Sequence, residues 1–190
     1  NEGKSDKRYS LLKSLAKEMP RDIEVKRQLL RCRQAEENWQ EIVNKIRGME
    51  GEKGWRWRFE QARLYFLDED FDRRFSEIES LLKENIRINP GHVQTRTLLA
   101  ESYARAGHMQ MAVSAYEQAM DQHPTDINVL VPAVHTFTQA GEYDKADAIL
   151  AKLSDSELLH PGLRKRMVGK YLREGDTASA CQMLDDMAQT

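Results

Sequence analysis

A fixed 34-residue interval runs through the second half of the sequence, and no other feature limits the possible folds as strongly. Gly107, Gly141 and Gly175 are separated by this interval. The same interval relates further columns: Tyr103, Phe137 and Tyr171; Ala112, Ala146 and Ala180; Leu99, Ala133 and Met167; Ala100, Val134 and Val168; Tyr116, Leu150 and Leu184; Ala119, Leu153 and Met187; Pro90 and Pro124. Because these columns stay in register without an insertion, the sequence predicts a row of equivalent structural units.

Each unit is predicted to be a pair of helices. Leu99, Ala100 and Tyr103 lie at helical spacing and form one apolar stripe. Gly107 is expected to end that helix, because glycine adopts positive φ without a steric penalty. A second stripe follows, made of Ala112, Tyr116 and Ala119. Pro124 closes the second helix, since proline cannot continue the hydrogen-bond ladder.

The same template extends upstream with less regularity. Residues 5–20 predict a lone second helix that ends at Pro20. The next pair has the turn "AEEN" without a glycine, and its apolar columns hold Leu29, Leu30, Trp39, Ile42, Ile46 and Met49. The pair after it fits only with about four additional residues, which we place near "LDEDFDRR". The predicted pairs are 22–50, 54–90, 92–124, 126–154 and 157–189, in one domain of residues 1–190 that is expected to be a fragment of a longer protein.

These repeats resemble the tetratricopeptide repeat family, in which small and aromatic residues occupy the same places of a 34-residue helix pair. The tryptophan typical of the first helix is absent, since Arg96, Leu130 and Arg164 stand in its column. The resemblance implies an all-α, right-handed superhelical solenoid of antiparallel helix pairs. It also implies that the first helices line a concave groove that binds a peptide or a partner protein.

Composition agrees with a helical chain that has much solvated surface. The sequence is 32% charged with a formal net charge of −2, and glycine and proline number only 10 and 5. Its longest apolar run, "VLVPAV", is far shorter than the roughly 20 residues that a membrane span requires. We therefore expect a soluble chain, with its compartment left open. Cys32 and Cys181 are predicted to be free thiols within helices, because no spacing pairs them.

Motifs that carry catalytic chemistry are absent from the sequence. It contains no HExxH, no GxSxG, no glycine-rich phosphate loop and no zinc-type spacing of cysteine and histidine. The carboxylate run "LDEDFD" (67–72) lacks the glycine and the terminal glutamate that a calcium loop requires. The five histidines are scattered through predicted turns and helix ends. We therefore expect a protein that is not an enzyme and that uses no metal and no cofactor.

The stretch "WRWRFEQAR" (55–63) alternates aromatic residues with arginines. Such a pattern can bind nucleic acid or an acidic peptide through stacking and charge. The simpler interpretation, which we favour, is that Trp55, Trp57 and Phe59 fill the start of an irregular repeat while the arginines face water.

Projecting the first helices onto the groove gives a set of candidate partner-binding residues. They are Arg27, Arg31, Arg56, Arg63, Gln94, Thr97, Glu101, Asn128, Val131, His135, Lys165 and Arg173. Residues 1–58 contain 15 Lys and Arg against 10 Asp and Glu, whereas residues 59–190 contain 14 against 21. A basic entrance favours a ligand that carries carboxylates. The positions with which some members of the family bind chaperone C-termini do not match here, so that ligand is not expected.

Pro132 conflicts with the helix in which it is predicted to lie. It falls about six residues into a first helix, where proline removes a backbone hydrogen bond and crowds the preceding turn. We expect that this helix either begins late or bends at Pro132.

The sequence thus favours a non-catalytic protein-interaction module that binds a protein or peptide ligand, with an acidic ligand favoured by the basic entrance. One alternative is an RNA-binding domain of pentatricopeptide-like repeats. Those repeats are 35 residues long and need a basic surface, so the 34-residue period and the negative net charge oppose it. No nucleic acid partner is therefore expected. The other alternative is a structural or oligomerisation segment of a larger multidomain protein.

Overall fold

The computed structural model describes residues 2–153 and 161–188. Within these ranges the chain forms helices joined by short turns, and no strand occurs. The helices are α1 (Glu2–Glu18), α2 (Ile23–Leu29), α3 (Trp39–Glu50), α4 (Trp55–Leu67), α5 (Phe71–Ile88), α6 (Val93–Arg105), α7 (Met109–Gln122), α8 (Ile127–Gln139), α9 (Tyr143–Leu150), α10 (Pro161–Glu174) and α11 (Thr177–Ala188), with a 3₁₀ helix at Arg33–Asn38. No helix in the described ranges is both long enough and apolar enough to cross a membrane. The parts of the predicted pairs at 154, 157–160 and 189 lie outside the described residues.

The helices group into two compact units, which we call unit 1 (Asn1–Thr95) and unit 2 (Arg96–Thr190). In unit 1, consecutive helices from α1 to α5 pack against one another. In unit 2, α7 packs on α8, α8 on α9 and α10, and α10 on α11. Each unit therefore buries the apolar stripes of its helices against neighbouring helices.

The three glycines of the repeat end their helices as the sequence predicted. Gly107, Gly141 and Gly175 have φ values of 79°, 78° and 78°. At the first of these turns, the His108 N–H donates to the Tyr103 carbonyl at 2.9 Å, and the Gly107 N–H donates to Ala104. The turns at Gly141 and Gly175 repeat both hydrogen bonds. This is the Schellman arrangement, in which a residue at positive φ allows the last carbonyls of a helix to be satisfied.

The predicted columns form most of the interior of unit 2. Tyr103, Ala112, Tyr116 and Ala119 are each at most 4% exposed. The equivalent Phe137, Ala146, Leu150 and Ala180 are also buried, whereas Leu184 is 50% exposed. The small residues allow close approach of two helices, and the aromatic rings fill the space beside them.

The first helix of the pair 22–50 is much shorter than the template predicted. α2 ends at Leu29, and Leu30 and Arg31 form a turn before the 3₁₀ helix that contains "AEEN". Cys32 lies in this connection with extended backbone (φ −97°, ψ 122°), so the expectation that it sits within a helix was wrong. Both cysteines are free thiols. Cys32 is buried and Cys181, in α11, is exposed.

The four additional residues of the pair 54–90 do not form a longer connection at "LDEDFDRR" (67–74), the second half of which already belongs to α5. The connection between α4 and α5 is only three residues long, as is the one between α6 and α7. α5 contains 18 residues, whereas α7 contains 14. The insertion therefore adds about one helical turn to α5, because 3.6 residues make one turn and the helix absorbs them without a loop.

α8 begins at Ile127 and continues to Gln139 with Pro132 inside it. Of the two expectations, a late start is therefore excluded, and a bend at Pro132 stays a prediction. Asp126 caps the helix, since its side chain accepts a hydrogen bond from the Asn128 N–H at 2.9 Å.

Candidate functional site

A fully buried carboxylate joins two arginines on the first helices of unit 1. Glu60, on α4, is 0% exposed. Its Oε1 accepts from Arg27 Nε at 2.9 Å, and its Oε2 accepts from Arg63 Nε at 2.8 Å. Arg27 belongs to α2, so this contact ties two successive first helices together. Both arginine side chains are held in fixed positions, because a buried charge must remain paired.

The early end of α2 explains how Arg63 reaches its second partner. The Leu30 carbonyl lies in the turn that follows α2, and Arg63 Nη2 donates to it at 3.0 Å. In a longer helix this carbonyl would accept a backbone N–H four residues further along the chain. The irregular backbone of α2 thus creates one of the contacts that position Arg63.

Trp55 begins α4 and is contacted by two guanidinium groups. The Cζ of Arg56 lies 4.8 Å from the centroid of its ring, and that of Arg27 lies 5.6 Å from it. Both distances suit a cation–π contact. Glu50 fixes the beginning of this helix, since its Oε2 accepts the N–H groups of Arg56 and Trp57 at 3.0 and 3.1 Å. Its Oε1 accepts from Arg56 Nη1 at 2.8 Å.

His92 completes the cluster from the residue before α6. Its ring centroid lies 4.4 Å from that of Trp55 and 4.9 Å from that of Phe59. The Nδ1 of His92 lies 2.7 Å from Thr95 Oγ1. The pKa of His92 is lowered to about 4, chiefly by burial and also by the positive charges of Arg27 and Arg56, while Glu60 opposes them. His92 is therefore neutral at physiological pH and packs as an aromatic ring against Trp55 and Phe59.

These contacts bring α2 and α4 together with His92, the residue before α6. We call the group the Trp55 site, which consists of Arg27, Trp55, Arg56, Phe59, Glu60, Arg63 and His92. Trp55 is half-buried, and the side chain of Arg56 is 40% exposed. The site therefore offers a ligand an aromatic surface together with guanidinium N–H groups whose positions are set in advance.

The structure brings together three of the five candidate residues that lie in unit 1. Arg27, Arg56 and Arg63 are members of the Trp55 site. Arg31 is exposed in the turn directly after Leu30, and no partner for its side chain occurs among the described residues. Gln94 is exposed in the first turn of α6.

The candidate residues of unit 2 lie in more varied surroundings. Thr97 is half-buried on α6, and burial raises the pKa of Glu101 on the same helix. On α8, Val131 is half-buried and Asn128 is exposed. The Asn128 side chain donates to Asp126 Oδ1 at 2.9 Å, which makes it part of the helix cap.

His135 contacts a residue of α10 that the repeat register did not select. Its Nδ1 is hydrogen-bonded by Arg166 Nη2, while the neighbouring candidate Lys165 is exposed. Burial lowers the pKa of His135, and the charge of Arg166 lowers it further. The last candidate, Arg173, faces α9, where its Nη2 donates to Asp147 Oδ1 at 2.6 Å and its Cζ lies 4.6 Å from the Tyr143 ring.

The stretch "WRWRFEQAR" is divided between two sides of α4. The packing interpretation is confirmed for Trp57 and Phe59, which are 7% and 5% exposed. The expectation that the arginines simply face water was wrong, since Arg58 stacks on Trp57 at 4.7 Å and donates to the Gly54 carbonyl. Arg47 stacks on the same ring at 4.6 Å. Tryptophans two residues apart thus have separate arginine partners.

Two members of the Trp55 site were not predicted from the sequence. Glu60 stands three residues before Arg63, so its spacing indicated a helical ion pair, but nothing in the sequence indicated that Arg27 would join it. His92 gave no signal, because it lies outside the helical stripes. Its ring is placed by packing against Trp55 and Phe59 of α4, a contact between residues far apart in the sequence.

An apolar cleft of about 770 Å³ lies in unit 2 between α7 and α9. Its apolar lining includes Met120, Leu130, Phe137, Ala148, Ile149 and Leu153. An ion pair between Lys145 Nζ and Glu117 Oε1, at 2.7 Å, joins the two helices beside it. The charged residues of its lining are exposed or half-buried, so this cleft lacks a buried charge like Glu60. In the described ranges, no group of three His, Cys, Asp or Glu residues is arranged to hold a metal ion.

Comparison with known proteins identifies the class to which this fold belongs. Residues 95–127 match the model of the tetratricopeptide repeat. No curated protein matches the chain. A thermophilic TPR protein from Thermus thermophilus matches 90% of this chain and 92% of its own, with a TM-score of 0.69 and 21% identity.

Two further structures show the same fold. YrrB, described as a TPR protein with an unusual peptide-binding site, matches 92% of this chain and 89% of its own, with a TM-score of 0.60 and 11% identity. A chain of the APC/C hetero-tetramer Cut9–Hcn1 matches 96% of this chain and 36% of its own, with a TM-score of 0.67 and 15% identity.

Residues 95–127 therefore match the tetratricopeptide repeat, and the chain has the all-α helix-pair fold of tetratricopeptide repeat proteins. The predicted fold class and the resemblance to this family are confirmed.

Proposed function

We propose that this chain is a non-catalytic protein-interaction module and that the Trp55 site in unit 1 binds a peptide segment of a partner protein. The main support is the convergence of α2, α4 and the start of α6 on the half-buried ring of Trp55. Tryptophan and arginine are the residues that most often dominate the binding energy of protein interfaces. Here both occur together, with their side chains held by buried contacts.

The rigidity of the site favours this role. Arg27 and Arg63 are fixed by Glu60, and Arg56 is fixed by Glu50. A ligand that binds such groups loses less free energy to side-chain ordering than a ligand that binds mobile arginines. Phe59 and His92 support the Trp55 ring in the same way.

The chemistry of the site supports binding and not catalysis. His92 has a pKa of about 4, so it is a poor general base at neutral pH. Glu60 is enclosed and both of its carboxylate oxygens are paired with arginines, so it makes no contact with a ligand. YrrB, which has the same fold, is described as having a peptide-binding site, and this supports a peptide as the ligand of the Trp55 site.

The proposal can be tested with a library of short synthetic peptides of random sequence, screened against the full chain. We expect saturable binding of selected peptides, measured by calorimetry. Trp55→Ala should weaken this binding by roughly tenfold or more, because alanine substitution of a hot-spot residue costs at least about 2 kcal/mol.

Tyr143→Ala is the matched control, since Tyr143 is an exposed aromatic residue that stacks with an arginine in unit 2. Its affinity for the peptides should equal that of the unaltered chain. Thermal unfolding of both variants establishes that they are folded. If no peptide binds, or if Trp55→Ala binds as well as Tyr143→Ala, the proposed function is wrong.

A further inference from the structure

We infer that the Trp55 site selects a partner segment that presents a carboxylate beside an apolar side chain, with Arg27 and Arg56 binding the carboxylate. This inference rests on the proposed function and adds the chemistry of the ligand. The carboxylate can belong to an aspartate, a glutamate or a free C-terminus, since all three present the same pair of oxygens.

The Trp55 site has more guanidinium groups than buried carboxylates. Three guanidinium groups, those of Arg27, Arg56 and Arg63, face two well-buried carboxylates. The side chain of Glu60 is 0% exposed and that of Glu50 is 7% exposed. One positive charge therefore remains without a buried partner. Its only carboxylate partner among the described contacts is the exposed Glu24, so a ligand carboxylate would pair with this charge.

The existing partner of this surplus charge can be replaced. Arg27 Nη1 also donates to Glu24 Oε2 at 3.0 Å, but the Glu24 side chain is 59% exposed. Exposed ion pairs contribute little to stability, so Glu24 can exchange with a ligand carboxylate at small cost. Arg31 adds a further positive charge one residue after Leu30, to whose carbonyl Arg63 is bonded.

The ligand can reach the guanidinium of Arg56, whose side chain is 40% exposed, and the edge of Arg27 that faces the exposed Glu24, since 11% of the Arg27 side chain is exposed. Arg27 uses Nε and Nη1 for Glu60 and Glu24, and Arg56 uses Nη1 for Glu50. A guanidinium has five N–H groups, so both arginines retain N–H groups beyond these contacts. Both lie within 6 Å of the Trp55 ring, which brings their donors to one aromatic surface.

The Trp55 ring accounts for the preference for an apolar side chain beside the ligand carboxylate. Trp55 is only half-buried, although His92 and the two arginines contact it. An apolar side chain next to the ligand carboxylate would bury the rest of this ring. Neutral His92 adds no charge that would compete for the carboxylate.

The test compares peptides selected by the full chain from the random library, prepared both as C-terminal acids and as C-terminal amides. We expect every strongly bound peptide to contain Asp, Glu or a free C-terminus. Replacing that carboxylate by the corresponding amide should weaken binding roughly tenfold or more, because a hydrogen bond to a charged group contributes about 1.5–3 kcal/mol. The acid and amide libraries show which carboxylate is used.

Arg56→Gln should remove this preference, so that acid and amide peptides bind with similar, weakened affinity. The matched control is Arg58→Gln, which removes an arginine stacked on Trp57 instead of Trp55 and should keep the full preference. Arg56→Lys serves as a second variant if the glutamine variant is unfolded. It keeps the charge but loses the planar group, and it should retain only part of the preference.

The possible outcomes separate this inference from the proposed function. Selection of peptides without carboxylates, or an unchanged preference in Arg56→Gln, would overturn the inference while leaving peptide binding in place. Equal loss in Arg56→Gln and Arg58→Gln would also overturn it, because it would show no distinction between the two tryptophans. Absence of any bound peptide would instead contradict the proposed function.

Discussion

Unit 1 and unit 2 are built from similar helix pairs, but they pair some of their buried polar groups differently. In unit 2, buried Ser102 donates its hydroxyl to the Leu98 carbonyl of its own helix at 2.7 Å. In unit 1, buried Glu60 is bonded by Arg27 of another helix. Gln61 of α4 likewise exchanges amide hydrogen bonds of 2.8 and 3.0 Å with Gln40 of α3. Ion pairs between helices occur in both units, but Glu60 is fully buried, whereas the side chains of Lys145 and Glu117 in unit 2 are 41% and 43% exposed.

Under the proposed function, this difference places ligand specificity in unit 1. In the register of the helix starts, Leu98 and Pro132 occupy the position that Glu60 occupies in α4. A repeat that needs only packing can use an apolar residue there. A buried glutamate gives no advantage in packing and requires specific partners. We interpret its presence as a means of holding arginines in place for binding.

The largest effect that we predict distinguishes these two kinds of buried polar group. Glu60→Ala should lower the free energy of unfolding by about 3–5 kcal/mol, because it leaves two arginines without their buried partner. Ser102→Ala should lower it by only about 0.5–1.5 kcal/mol, since one local hydrogen bond is lost. Urea denaturation measures both values. Equal effects would contradict the distinction between the units.

Truncating a core side chain of unit 2 should lower the free energy of unfolding by a similar amount, but for a different reason. Leu150 is 1% exposed, and Leu150→Ala should cost about 2–5 kcal/mol through lost burial and the cavity that remains. Because no charge is exposed or stranded, the loss should be independent of salt concentration. A loss that varies with salt would argue against packing as the basis of unit 2.

Glycine substitutions provide a sharper comparison of the turns in the two units. Gly51 ends α3 with φ 72° and ψ −179°, a region that is nearly exclusive to glycine, so Gly51→Ala should cost about 1–3 kcal/mol. Gly107 has φ 79°, and Gly107→Ala should lower the free energy of unfolding by about 1–2 kcal/mol. A Cβ at either position meets no atom within 4 Å, so the cost is conformational.

Gly48 is the internal control for both variants, because it lies inside α3 without a positive φ and with open space around its Cα. Gly48→Ala should stabilise the chain by about 0.5–1 kcal/mol. Destabilisation by Gly48→Ala would show that crowding, and not backbone conformation, governs these positions.

A further effect concerns pH and comes from His92 in unit 1. His92 has a pKa of about 4 in the folded chain against an ordinary value of 6.5. Between these values the unfolded chain binds a proton that the folded chain does not, so stability falls as the pH is lowered from 6.5 to 4. The contribution of His92 is fully present above pH 6.5. Thermal unfolding of His92→Gln should show a weaker decline over this window. An unchanged decline in this variant would contradict a contribution from His92.

The sequence predicted the regular parts of the fold and little of the site. Gly107, Tyr103 and Ala112 revealed their roles because each repeats at a constant interval and has a single geometric purpose. The early end of α2 and the extra turn of α5 could not be predicted, since neither leaves a periodic signal. The candidate arginines were selected by helical register, but their pairing through Glu60 depends on contacts between helices.

The most direct test of the account is the response of the three tryptophan indoles to a selected peptide, followed by ¹⁵N–¹H NMR. Trp57 donates its indole N–H to the Gly51 carbonyl at 3.0 Å, and the Trp39 indole N–H is buried, so both resonances serve as internal references. We predict that the chemical shift of the Trp55 indole changes in proportion to bound peptide, while those of Trp57 and Trp39 stay constant. A shift of Trp57 or Trp39 with an unchanged Trp55 resonance would contradict it.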